Sequence, residues 1–255
     1  IVSHTLAFHP RDPNIEFFGH HNGVQKSVDG GRTWQETSFR GRNWDAMGMA
    51  ISPREPEHMF VAGHDIFSRS GDGGQSWAPL RHNLPGTDIH GFAMDPDNPS
   101  KLYAFVVGYG VYRSDNAGGN WQLISARLPG DGMALAAAGG QTLYAGSMER
   151  GVLKSTDGGK TWLPANTGIE GRNAMTLAVD PKQPQTMYAG TEKGLFKSGD
   201  GASSWKKLAF PDQNAVVVAV APSNSQVVMA IAVGNEPKGY VYRSDDGGQS
   251  WAGKR

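Results

Sequence analysis

Ser155-Thr156-Asp157-Gly158-Gly159-Lys160-Thr161-Trp162 reads as a clasped turn that passes the chain from one short strand to the next. The aspartate is a short carboxylate that can accept bonds from the backbone N–H groups of its own turn. Glycine supplies backbone angles that a Cβ resists, and tryptophan opens the following strand with a large apolar face. The pattern recurs at 27–34, 70–77, 114–121, 198–205 and 244–251. Its tryptophans fall 43, 44, 41, 43 and 46 residues apart, and six of the seven tryptophans in the chain lie in a copy. Self-similarity at that period marks a radial repeat rather than two unlike domains.

Working outward from each turn gives the rest of the repeat. Before it lies an alternating strand such as Thr5-Leu6-Ala7-Phe8 or Gly91-Phe92-Ala93-Met94. A proline turn follows, as at 10–13, 53–56, 96–99 and 181–184, then a second strand such as Leu102-Tyr103-Ala104. A third strand, Val111-Tyr112-Arg113 in one copy, runs into the clasp, and a fourth begins at the tryptophan. Four short strands per repeat predict an all-β, six-bladed β-propeller of four-stranded antiparallel blades. One domain covers 1–255, with blades near 1–40, 41–84, 85–128, 129–168, 169–211 and 212–255. The last repeat stops four residues after Trp251, so its fourth strand is expected to be short. Ring closure there is expected to be loose, or to be completed by residues beyond this sequence.

The clasp resembles the Asp-box, or BNR repeat. That motif occurs in sialidases, xyloglucan-active glycoside hydrolases, sortilin-type receptors and photosystem II assembly factors. The resemblance covers the whole chain and implies the propeller fold. It implies no single activity, because these relatives do unrelated things. Asn116 replaces the aspartate in the third copy and Ala202 replaces a glycine in the fifth.

Composition removes several functions. Lys and Arg total 24 and Asp and Glu total 24, with no basic run, so nucleic acid is not an expected partner. No apolar stretch reaches the roughly 18 residues of a membrane span. Cysteine is absent, which excludes disulfides and thiol chemistry. A monomer outside the cytoplasm, periplasmic or secreted, is the expectation, with no signal peptide visible in the sequence given.

Aligning the first strands on Ala7, Ala50, Ala93, Ala136, Ala178 and Ala219 exposes a candidate site. Three positions earlier stand His4, Met47, His90, Met133, Met175 and Val216, and five earlier stand Val2, Asp45, Asp88, Asp131, Asn173 and Asn214. At the turn between the second and third strands His21 aligns with His64, and Tyr109, Glu149 and Glu192 lie near the equivalent places. First-strand starts and these turns share one end of the channel, with the Asp-boxes at the other. His4, His21, His64 and His90 are therefore expected to meet at that mouth with Met47. An imidazole and thioether set without cysteine points to a soft transition metal, copper first. Asp45 and Asp88 are expected to orient the imidazole N–H groups, with Trp44 beside them as a shield. Strict alternation gives the competing reading, since the histidines and methionines share parity with Leu6, Met49, Phe92, Leu135 and Leu177, which pack blade on blade.

Two further functions are open. A glycoside hydrolase needs paired carboxylates across a cleft, and Asp45, Asp88 and Asp131 on one rim are the candidates. A protein-interaction propeller of the assembly-factor type would instead dock a partner protein and hold no tight metal.

Overall fold

Residues 3–126, 128, 131–234 and 239–254 are described by a computed structural model. Blade 1 comprises β1 (Ser3–Phe8), β2 (Glu16–His20), β3 (Gly23–Ser27) and β4 (Gln35–Arg40). Blade 2 comprises β5 (Ala46–Ile51), β6 (Met59–Gly63), β7 (Phe67–Ser70) and β8 (Ala78–Pro79). Blade 3 comprises β9 (Ile89–Met94), β10 (Leu102–Val106), β11 (Gly110–Ser114) and β12 (Gln122–Ser125). Blade 4 holds β13 (Gly132–Ala137), β14 (Leu143–Ser147), β15 (Gly151–Ser155) and β16 (Leu163–Pro164). Blade 5 holds β17 (Ala174–Val179), β18 (Met187–Thr191), β19 (Gly194–Ser198) and β20 (Lys206–Lys207). Blade 6 holds β21 (Ala215–Ala221), β22 (Asn224–Val233), β23 (Gly239–Ser244) and β24 (Ala252–Lys254). Each sheet runs in chain order, and all of its pairings are antiparallel. The molecule is the six-bladed propeller that the repeats predict. Among the described residues no helix is long and apolar enough to cross a membrane.

The clasps explain why each blade turns where it does. In blade 2, Ser70 Oγ donates to Asp72 Oδ1 at 2.8 Å and accepts the Gly74 N–H at 2.9 Å. Asp72 Oδ1 also accepts the backbone N–H groups of Gln75 and Ser76 at 3.0 and 2.9 Å. These bonds favour the ionised carboxyl and hold Asp72 down at about 2, led by the Ser76 hydroxyl. The two irregular copies keep the geometry. Asn116 Oδ1 still accepts from Ser114 Oγ at 2.9 Å and from the Asn120 N–H at 2.8 Å. Ala202 takes the left-handed angle of the glycine it replaces, φ 65°, and its N–H still reaches Ser198 Oγ at 2.9 Å.

Six inner strands, β1, β5, β9, β13, β17 and β21, stand around a channel of about 290 Å³. Every one of them slips register by one residue against its second strand, at the same aligned place. The residues passed over are His4, Met47, His90, Met133, Met175 and Val216. A bulge bends its strand and re-aims a side chain. The ring therefore leaves the alternating set to which strict parity assigned it. Leu6, Met49, Phe92, Leu135 and Leu177 are buried between blades. By contrast, His4, His90, Met133, Met175 and Val216 are only half-buried, whereas Met47 stays buried, so the competing core reading fails for Met133 and Met175 and holds for Met47.

The ring closes tightly, contrary to the loose closure expected. Leu6, Phe8 and Phe18 of blade 1 pack with Val217, Ala219, Val227, Met229 and Ile231 of blade 6. Arg243 then donates through Nη1 to Glu16 Oε1 at 3.2 Å and to the Pro13 carbonyl at 3.0 Å. Glu16 is fully buried, and burial raises its carboxyl to about 7 despite the Arg243 guanidinium. The folded chain thus keeps a proton that the unfolded chain releases near its ordinary value of 4.5. Stability from Glu16 is present below that value and is lost as pH rises to about 7. The Glu16→Gln variant escapes this loss. Its stability relative to wild type is expected to grow across that window, by about 2–3 kcal/mol at most. Thermal melts of both proteins at several pH values check this, and a pH-independent difference contradicts it.

Candidate functional site

The upper end of the channel is where the first strands begin and where the second and third strands turn. Blade 1 brings His4 from β1 and His21 from the β2–β3 turn. Blade 2 brings Asp45, just ahead of β5, and His64 from the β6–β7 turn. Blade 3 brings Asp88, just ahead of β9, and His90 within it. Backbone bonds stitch these loops together: the His64 N–H reaches the Asp45 carbonyl, and the Asp65 N–H reaches the Thr87 carbonyl. Gly63 is needed at this crossing, because a Cβ there would stand 1.8 Å from the Asp45 carbonyl oxygen.

Two triads result. In the first, His4 Nε2 lies 2.9 Å from Asp45 Oδ1, His21 Nδ1 lies 2.9 Å from Asp45 Oδ2, and the two nitrogens are 3.2 Å apart. In the second, His64 Nε2 and His90 Nε2 are each 3.1 Å from Asp88 Oδ1 and 3.1 Å from one another. His64 joins the triads, since its Nδ1 stands 2.8 Å from Asp45 Oδ2. Asp45 is 5% exposed. Burial pushes the His4 imidazole well below its ordinary pKa, against the opposing pull of Asp45, and burial also lowers His90 against Asp88.

The four histidines expected to meet do meet. Asp45 and Asp88 stand inside the triads, which goes beyond the orienting role expected of them. Met47, passed over by its bulge, is buried and lines the channel with Met133 and Met175. Asp131, the blade 4 counterpart of Asp45, bonds within its own blade, accepting from Ser147 Oγ at 2.9 Å and the Glu149 N–H at 2.8 Å. His20 is buried and stacks on Phe18. His9, His58 and His82 make local contacts with Arg11, Glu55 and Leu84. Val2 lies outside the described residues. Trp44 rests on Phe39 with ring centroids 5.0 Å apart, and Tyr109 lies over Gly86. Both stay exposed on this face, at 42% and 49%.

These features define a BNR-type propeller with an imidazole and carboxylate cluster at one channel mouth. The chain belongs to the family described as photosynthesis system II assembly factor YCF48, which matches residues 4–138, more than half of its length. The family described as sortilin, neurotensin receptor 3, matches residues 150–254. The xyloglucanase Xgh74A of Acetivibrio thermocellus is 30% identical over 39% of this chain and 15% of its own length. A GH74 xyloglucanase structure from Xanthomonas campestris superposes with a TM-score of 0.69 at 19% identity, over 98% of this chain and 45% of the enzyme. YCF48 bound to D1 peptide gives 0.55 at 17% identity, over 80% of this chain and 66% of that one. The chain thus spans less than half of the xyloglucanases it resembles.

Proposed function

We propose that this chain is a non-catalytic recognition propeller that holds a polypeptide segment of a partner protein against its upper face. The observation that carries this reading is the family match over residues 4–138, which spans blades 1–3. Those blades present Trp44 and Tyr109 to solvent on the face that carries the His/Asp cluster. Exposed Trp and Tyr beside charged groups are the residue types that dominate binding energy at protein interfaces. A structural neighbour is a YCF48 bound to a peptide, which is in keeping with the same use of the fold. Hydrolysis has less support, because a glycosidase needs one carboxyl to donate a proton and another to attack or activate water. Asp45 and Asp88 are instead engaged by imidazoles, and Asp131 is bonded into its own turn. An extracytoplasmic location is part of the same proposal, and fractionation of source cells tests it.

A photo-crosslinking residue placed at Tyr109 should give polypeptide adducts in extracts of the source cells. The same residue at Leu163, on the outer edge at 70% exposure, should not. Equal labelling at both positions would remove the docking reading. Release of sugar from xyloglucan by the purified chain would replace it with the hydrolase.

A further inference from the structure

Hydrogen bonding alone does not account for the two triads. Around His64, His90 and Asp88 three polar atoms form a triangle with 3.1 Å edges. A single proton can bridge two of them and leaves the third facing a lone pair. Around His4, His21 and Asp45 the edges are 2.9, 2.9 and 3.2 Å. Asp45 Oδ1 and Asp88 Oδ1 are shut off from water and have no hydrogen-bond partner, although ring nitrogens lie within 3.1 Å of each. A buried acceptor left in that state costs about 1–3 kcal/mol, and more when it is charged. Two such atoms in one cluster call for a cation.

The edge lengths say which kind of cation fits. An ion about 2.0–2.1 Å from imidazole nitrogen and carboxylate oxygen sets neighbouring donors about 2.9–3.4 Å apart, from octahedral to tetrahedral angles. The His64, His90 and Asp88 triangle falls in that interval, and so do the three contacts of the other set, whose carboxylate edges end on Asp45 Oδ1 for His4 and on Oδ2 for His21. One ring is also held from behind. His64 Nδ1 is committed to Asp45 Oδ2, which leaves Nε2 as a lone pair pointing into the second triad.

We propose that the triads are two neighbouring sites for borderline divalent transition cations of the Zn²⁺, Co²⁺ and Ni²⁺ class. His4 Nε2, His21 Nδ1 and the Asp45 carboxylate hold one ion. His64 Nε2, His90 Nε2 and Asp88 Oδ1 hold the other. Nitrogen and carboxylate donors suit these ions, whereas Cu(I) selects soft sulfur. The expected set of His4, His21, His64, His90 and Met47 is thereby narrowed to its imidazoles, with Asp45 and Asp88 in place of the thioether that favoured copper. Three protein ligands leave a position open for water or a partner's donor group. Asp45 is a ligand in one site and the acceptor that orients His64 in the other. An ion in the first therefore draws charge away from His64, and the second fills more weakly. The assignment does not depend on polypeptide docking, because it is read on the isolated protein.

Metal-stripped chain titrated with Co²⁺ should develop d–d absorption and take up two equivalents of unequal affinity, and calorimetry with Zn²⁺ should give the same count. His90→Gln and His4→Gln should each remove one equivalent, the double variant should remove both, and Met47→Leu should remove none. Circular dichroism of each variant confirms the propeller. Four results would overturn the assignment: no uptake by folded wild type at millimolar Co²⁺; unchanged uptake in the folded double variant; a single equivalent that both single variants abolish; or loss of uptake in Met47→Leu.

Discussion

Asp45→Ala is expected to abolish one cation site and to weaken the other about 10- to 100-fold, the usual consequence of removing a carboxylate that orients a metal-binding imidazole. No other side chain of the cluster has this reach. Its two oxygens lie within 2.9 Å of three imidazoles drawn from two blades. Truncation removes a donor from the first triad outright. In the second triad all three donors remain, but His64 loses the acceptor that fixes its tautomer and ring plane. Asp88→Ala touches the second triad alone and should leave the first near wild-type affinity. Competition titrations of both variants against a chromophoric chelator separate the two patterns. Equal damage at both sites from either variant would mean that the linkage through Asp45 is not real.

The largest effect on the fold itself is expected far from that cluster. Phe196 of β19 is fully buried among Tyr144, Leu177, Met187 and Trp205, at the interface of blades 4 and 5. Phe196→Ala loses the transfer energy of an aromatic ring and leaves a cavity that β-sheets stiffened on both sides cannot collapse. The expected cost is about 3–5 kcal/mol. For a chain of this size that is a fall in Tm of roughly 6–20 °C. Leu163→Ala, on an exposed outer edge, should change stability by no more than about 0.5 kcal/mol. Cation uptake by folded Phe196→Ala at low temperature should equal that of wild type, because its blade contributes no ligand. Thermal melts and the Co²⁺ titration together read both halves of this prediction.

The architecture was legible because the clasp is a local device. Ser70, Asp72, Gly74 and Ser76 satisfy one another within seven residues, so the sequence shows the whole interaction at once. Alignment of the inner strands likewise placed His4 and His90 at one mouth with His21 and His64. Three features were hidden, each for a physical reason. The one-residue bulge of every inner strand is a backbone event. No residue type announces it, so parity assigned His4, Met133 and Met175 to the wrong set. The carboxylates were recognised as neighbours of the histidines, yet only distances could place Asp45 and Asp88 inside the triads. The closing contact of the ring joins Arg243 to Glu16, 227 residues earlier, and nothing local to either residue foretells it.

The ion sites are the feature of the upper face on which its chemistry turns. Anomalous X-ray diffraction from crystals of the Co²⁺- or Zn²⁺-loaded chain, collected at the metal edge, tests them most directly. Two peaks are predicted, each about 2.0–2.2 Å from its donors. One lies among His4 Nε2, His21 Nδ1 and Asp45, the other among His64 Nε2, His90 Nε2 and Asp88 Oδ1. A map without density at either position, with the imidazoles turned to ordinary hydrogen-bond partners, would contradict the assignment and leave the docking face to stand on Trp44 and Tyr109 alone.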